Sequence, residues 1–171
     1  MQAIAAIVSF RARDGVAVAV HAAWGSFWTA WGFMRLLVAL HVLPQVPLGA
    51  VDGSFGFWFI ALTLVTGFAG LASLAQSSML FLTLGALTAG AALTAAGLFA
   101  GSLSVDRAGG WLFVISAAAG WLTAGAMMLE QAFGRTIIPV GKWSNAANIP
   151  LRRPTRPLEY PFGMPGARVG Q

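Results

Sequence analysis

The sequence lacks cysteine, and it has few charged residues: only 9% of its 171 residues are charged, and five are acidic. Without cysteine, disulfides and thiolate metal sites are excluded. Soluble domains carry about 25% charged residues, whereas this chain is 58% hydrophobic with a mean hydropathy of +0.78. The composition therefore predicts an integral membrane protein of the all-α class, located in the inner or plasma membrane.

Residues for catalysis are also scarce. The two histidines, His21 and His41, lie twenty residues apart, near opposite ends of one apolar segment, and cannot share a metal ion. The sequence contains no glycine-rich phosphate loop, Ser-His-Asp set or HExxH pattern. We therefore predict that the protein is not an enzyme and that it uses no cofactor or metal.

Five apolar segments organise the chain. A short one before Arg11 is followed by four that are long enough to span a membrane, since about 20 apolar residues suffice. The predicted fold is a multi-spanning helix bundle with four complete transmembrane helices plus a partial N-terminal one. Residues 1–12 form the partial helix and a basic turn, 13–141 the bundle, and 142–171 a basic, proline-rich tail. The four long segments are Val16–Val42, Phe55–Leu74, Met79–Ala100 and Gly110–Ala132.

The connecting segments are short. "LPQVPLGAVDGS" contains helix-breaking prolines, "AQSS" is typical of a tight turn, and "GSLSVDRAGG" is polar and glycine-rich. After Gly141 the chain has five prolines and five basic residues without a hydrophobic period, which indicates a mostly extended tail.

Basic residues are distributed unevenly between the two predicted sides of the membrane. With the tail inside, eight of the ten lie on the cytoplasmic side, and Arg107 and Arg35 lie elsewhere. Because lysine and arginine are enriched in cytoplasmic loops, the C-terminus is predicted to be cytoplasmic. The net charge of +5 is thereby explained by membrane orientation rather than by nucleic-acid binding, since the basic residues are not interleaved with aromatics on a soluble face.

Small residues recur at four-residue spacing, as in Ala86 and Gly90 or Ser116, Gly120 and Ala124. Such faces let membrane helices approach closely, against one another or against a neighbouring subunit. The alternative is that alanine and glycine are simply common in apolar helices.

A few polar side chains interrupt the first long segment. His21 lies about one turn inside it, and an ionisable residue within a span is a functional candidate because it is costly there. The alternative is that His21 lies at the interface and is hydrated. Arg35 could extend its side chain outwards to water, and Ser26 could bond back to its own helix.

Tryptophans 24, 28 and 31 are spaced at i, i+4 and i+7, with Phe27 beside them. Since Trp24 to Trp31 covers about 10 Å of helix, the row runs through the bilayer rather than along one interface. It predicts either a hydrophobic constriction of a path or a stripe packed against lipid or neighbouring helices.

Three stretches, "GSFW" (25–28), "GGW" (109–111) and "FGRTIIPVG" (133–141), resemble the acetate uptake transporter family, which includes the bacterial succinate–acetate symporters of the SatP/YaaH type. The opening "QAIAAIVSFRARDG" is similar to the end of that family's second helix. The matched motif residues are Gly25, Phe133, Gly134, Arg135, Thr136, Pro139 and Gly141.

The resemblance implies a six-helix subunit of a homo-oligomer, a hexamer, in which each subunit carries a path for small monocarboxylates. The family's N-terminal Asn-Pro-Ala-Pro-Leu-Gly-Leu motif is absent, so the chain is identified as an N-terminally truncated member. Four residues depart from those that are usual in the family: Ser9, His21, Ala22 and Trp24. Arg135 is expected to be structural, because a cation just beyond a helix C-terminus complements the helix dipole.

Two functions follow. One is a proton-coupled transporter or channel for acetate and similar small monocarboxylates, with succinate as a further candidate substrate. The other is a truncated, non-transporting accessory subunit of a membrane complex. For the first, the candidate substrate path contains His21, Trp24, Ser26, Phe27 and Trp28; aromatic rings would remove water from a carboxylate, and hydroxyls and helix N-termini would offer hydrogen bonds.

Overall fold

The computed structural model describes residues 1–12, 14–44 and 48–141, with residues 48–52 given by their main chain alone, and two short strands beyond them. The described chain forms five helices: α1 (Gln2–Arg11), α2 (Gly15–Ala39), α3 (Leu48–Ser73), α4 (Ser78–Ala100) and α5 (Leu103–Phe133). Strands β1 (Glu159–Tyr160) and β2 (Met164–Pro165) pair antiparallel in the tail. The remainder of the predicted extended tail lies outside the described residues.

Helix ends follow from local sequence. Asp14 caps α2 by accepting a 2.9 Å hydrogen bond from the Ala17 N–H, and Ser77 caps α4 by accepting one from the Leu80 N–H at 3.2 Å. Gly101 (φ 60°) and Gly134 (φ 65°) end α4 and α5 in the left-handed conformation that glycine adopts without steric cost. The predicted turn "AQSS" separates α3 from α4.

Two helices begin earlier than the sequence predicted. α5 starts at Leu103 rather than Gly110, and α3 starts at Leu48 rather than Phe55. Most of "GSLSVDRAGG" is therefore helical, because Ser102 stands at the N-cap and Gly109 packs against α4. A Cβ at Gly109 would lie 2.6 Å from Thr94 Oγ1, so this glycine permits a helix contact instead of breaking the helix.

Three described helices are long and apolar enough to cross a membrane: α3 from Gly53, α4 and α5. Four complete spans were predicted, and three of them satisfy this length and hydropathy criterion. α2 is 25 residues long, but His21, Arg35 and its tryptophans lower its hydropathy. Large apolar side chains on the outer faces, such as Phe68 and Trp121, suit a lipid environment, and the chain is a helical integral membrane protein.

The buried core lies where α2, α3 and α4 meet. It contains Trp24 and Phe27 from α2, Phe59 and Leu62 from α3, and Ala91 and Ala95 from α4. Of the small residues predicted to face other helices, Gly90, Ser116 and Gly120 contact a neighbouring helix, whereas Ala124 is exposed. A Cβ at Gly90 would lie 2.7 Å from the Phe113 ring, and Ser116 Oγ on α5 donates a 2.8 Å hydrogen bond to the Thr83 carbonyl on α4.

Candidate functional site

A cavity of about 680 Å³ lies between α2, α4 and α5. Its walls are mostly apolar, and a minority of lining side chains is polar. Ligand sites commonly combine apolar walls with a few placed polar groups. The lining residues include Gln2, Asp14, His21, Trp24, Trp28, Gln76, Ser77, Thr83, Leu87, Phe113, Thr123 and Val140.

One end of the cavity is polar. Asp14 and Ser77, the N-cap residues of α2 and α4, both line it, together with Gln76. Two helix N-termini therefore lie at the same end. Since the dipole of a helix is positive at its N-terminus, this end favours negative charge, although the Asp14 carboxylate opposes that effect.

His21 lines the cavity about two turns further along α2 than Asp14. Its Nδ1 atom is buried and has no hydrogen-bond partner within the described part of the chain. A buried imidazole nitrogen without a partner is costly.

Trp24 lies beside the cavity but is fixed in the core, with only 3% of its surface exposed. Its indole N–H donates a 2.9 Å hydrogen bond to Thr66 Oγ1 on α3. Its ring packs edge-on against Phe113 of α5 at a centroid distance of 5.7 Å. Trp24 and Phe113 both line the cavity and hold α2 against α3 and α5.

The predicted tryptophan row divides among three environments. Trp28 lines the cavity and is 51% exposed, and Phe27 packs behind it at a ring centroid distance of 5.0 Å, buried away from the cavity. Trp31 instead packs on Phe55 at 4.5 Å, with the Arg35 guanidinium 5.9 Å from its ring centroid.

Ser26 is exposed and does not line the cavity. Its hydroxyl donates a 2.9 Å hydrogen bond to the Ala23 carbonyl of its own helix, the back-bonding that the sequence left as an alternative. Of the five candidate path residues, His21, Trp24 and Trp28 come together at the cavity, whereas Phe27 supports Trp28 from behind.

The motif residue Gly25 marks the contact between α1 and α2. A Cβ there would lie 2.9 Å from the Ala3 backbone nitrogen, so α1 packs closely only because this position is glycine. The contact places Gln2 in the cavity wall.

The second motif forms the end of α5 and the segment after it. Phe133 and Arg135 are exposed on either side of the helix-ending Gly134. Thr136 Oγ1 is buried and has no hydrogen-bond partner among the described residues. Pro139 is exposed, and Gly141 (φ 68°) contacts Ser78 at the start of α4.

Sequence reasoning missed several polar residues of the site. Thr83 on α4 and Thr123 on α5 line the cavity, and Thr66 on α3 holds Trp24. Each is a threonine within an apolar helix, which is a visible signal. Which helix each one faces, however, depends on helix packing that no single segment encodes.

Comparison with known proteins gives a consistent result. The model of the GPR1/FUN34/yaaH family matches residues 1–143. The chain is 27% identical to the succinate-acetate/proton symporter SatP of Escherichia coli (strain K12) over 147 residues, 82% of this chain and 73% of the relative. The Shigella flexneri protein of the same name matches equally. The structure of the bacterial acetate channel SatP superimposes with a TM-score of 0.68 and 25% identity, covering 82% of this chain and 75% of that one.

Proposed function

This chain belongs to the GPR1/FUN34/yaaH family, and on that premise we propose that it provides a membrane path for acetate and similar small monocarboxylates. The cavity between α2, α4 and α5 carries the proposal, because it combines mostly apolar walls with the imidazole side chain of His21. The named relatives, a symporter and a channel, support transport, and they give no support to a non-transporting accessory subunit.

The walls suit a small, weakly hydrated acid. A methyl group would contact apolar lining residues such as Leu87, Phe113 and Trp28, while the carboxylate would meet the His21 side chain. Charged solutes with large hydration shells would lose water without enough polar partners in return. A dicarboxylate such as succinate has a second carboxylate to satisfy, and we propose that it binds more weakly than acetate.

Proton coupling is proposed to use His21. Imidazole changes charge near neutral pH, and a protonated ring would attract the carboxylate. Loss of that proton would then release the anion, so that acid and proton move together.

The remaining features are proposed from the resemblance and from the charge pattern. α2 acts as the fourth complete span, the subunits form a hexamer, and the tail is cytoplasmic, so that the polar end of the cavity faces the cytoplasm. The sequence is free of cysteine, and a single cysteine replacing Ser144 reports the orientation. An impermeant thiol reagent should leave it unlabelled in intact cells and label it after lysis; labelling in intact cells would place the tail outside.

Uptake by the purified protein tests the proposal. Proteoliposomes should accumulate labelled acetate in a saturable manner, above protein-free liposomes, and an excess of unlabelled acetate should compete better than succinate. Uptake equal to that of protein-free liposomes, with correctly inserted protein, would refute a monocarboxylate path in this chain.

A further inference from the structure

The segment after α5 folds back across the end of the bundle. We call residues 134–141 the C-terminal strap. It leaves α5 at Gly134 and reaches the start of α4, where the Val140 carbonyl accepts a 3.1 Å hydrogen bond from the Met79 N–H and the Gly141 carbonyl accepts one of 2.9 Å from the Ser78 N–H. The strap is thus tied to a helix more than 60 residues earlier in the chain.

These bonds satisfy groups that a helix leaves free. The first N–H groups of an α-helix have no partner within the helix. In α4 the Ser77 side chain accepts a hydrogen bond from the Leu80 N–H. The Gly141 and Val140 carbonyls of the strap accept hydrogen bonds from the N–H groups of Ser78 and Met79. The strap therefore completes the cap of α4, and detaching it would expose two N–H groups at the polar end of the cavity.

The end of the strap favours glycine. Gly141 has a φ of 68°, a left-handed conformation that is unfavourable for most residues with a side chain. A Cβ there would also overlap Ser78 Oγ and lie 3.2 Å from Ser78 Cβ. A side chain at position 141 would accordingly push the strap away from α4.

The strap also forms part of the cavity wall. Val140 is 8% exposed and lines the cavity beside Gln76 and Ser77. We propose that the strap is a closure of the polar end of the cavity, held by the first N–H groups of α4, and that its release opens the cavity at that end. The inference concerns access to the cavity proposed above as the acetate path.

Thiol labelling measures this access without any transport assay. A cysteine replacing Thr123 reports the cavity, and one replacing Ser104, exposed in the first turn of α5, reports the opposite end of the bundle. In lipid nanodiscs, where both faces are accessible, G141A should increase the labelling rate of T123C by a hydrophilic maleimide on the order of tenfold, as loss of about two hydrogen bonds allows. The labelling rate of S104C should stay unchanged.

Two further variants isolate the strap. S78P removes the N–H that binds the Gly141 carbonyl, yet proline is favoured at the first helical position, and Ser77 already has the extended backbone (φ −157°, ψ 151°) that precedes proline. S78P should therefore accelerate labelling even if G141A does not fold. S78A keeps the N–H and loses only the hydroxyl, which donates to the Val140 and Gly141 carbonyls at 3.4 and 3.2 Å, so it should accelerate the labelling of T123C less than S78P does.

Equal labelling of T123C with and without G141A or S78P, in protein whose S104C rate is unchanged, would overturn the closure. The outcome is independent of the proposed substrate: absence of acetate uptake together with faster labelling would refute the monocarboxylate path and retain the strap as a closure.

Discussion

The indole N–H of Trp24 and the hydroxyl of Thr66 form a 2.9 Å hydrogen bond between α2 and α3. Both side chains are buried, Thr66 completely. Because a lipid-embedded bundle offers no water inside its core, this bond is the means by which a polar indole nitrogen is accommodated there. It fixes the ring that lies beside the cavity.

Replacing Thr66 by valine should destabilise the protein by on the order of 1 kcal/mol, the range measured for such bonds in membrane proteins. The indole N–H would lose its partner while the shape of the core is retained. The free energy of unfolding in mixed micelles gives the measurement. T66S keeps the hydroxyl and should remain near the parent; equal loss in both variants would assign the effect to packing.

Gly109 should tolerate no methyl group, whereas its neighbour Gly110 should. A Cβ at Gly109 would lie 2.6 Å from Thr94 Oγ1 and 2.9 Å from the Gly90 carbonyl, while nothing lies within 4 Å of one at Gly110. We expect G109A to destabilise the bundle by about 1–3 kcal/mol through overpacking, and G110A to be neutral or slightly stabilising. Similar unfolding free energies for both would contradict the α4–α5 crossing.

Trp28 should affect selectivity more than stability. It lines the cavity and is half exposed, so W28A should cost about 1 kcal/mol through the lost ring contact with Phe27, while butyrate uptake rises relative to acetate uptake. Trp121 is 79% exposed on α5 and outside the cavity lining, which makes W121A the matched control. An unchanged butyrate-to-acetate ratio in W28A would indicate that Trp28 only packs.

His21 should couple acetate uptake to protons. An imidazole that carries a proton attracts a carboxylate, so an inward proton gradient should stimulate acetate uptake by the parent, and H21N should lose this stimulation. His41 lies just beyond the end of α2 with φ 57°, a conformation that asparagine accepts, and H41N should keep the stimulation. Equal stimulation of H21N and the parent would remove His21 from proton coupling.

The helices were largely predictable because each is a long apolar run, and the short turn between α3 and α4 was predictable from its polarity. The start of α5 was not. A pair of glycines such as Gly109 and Gly110 is typical of a loop, yet Gly109 lies where α5 contacts Thr94 of α4. Local composition cannot distinguish a glycine that breaks a helix from one that lets two helices touch.

The candidate site was predictable only in part. Trp24, Trp28 and Trp31 share a face by spacing, but α2 rotates by about 40° between positions i and i+4. That angle separates a ring hydrogen-bonded in the core from one on the cavity wall. Ser26, Thr83 and Thr123 illustrate the same limit: all are hydroxyl residues in apolar helices, and only packing decides that the two threonines line the cavity.

The central claim is that the cavity between α2, α4 and α5 is the route of the acid, and blocking it reversibly is the most direct test. Labelled acetate uptake should be measured in proteoliposomes of T123C before and after modification with a bulky methanethiosulfonate, and again after reduction, with S104C treated in parallel. Uptake by T123C should fall to the protein-free level and recover on reduction, while S104C stays unaffected. Undiminished uptake by fully modified T123C would show that acetate crosses elsewhere.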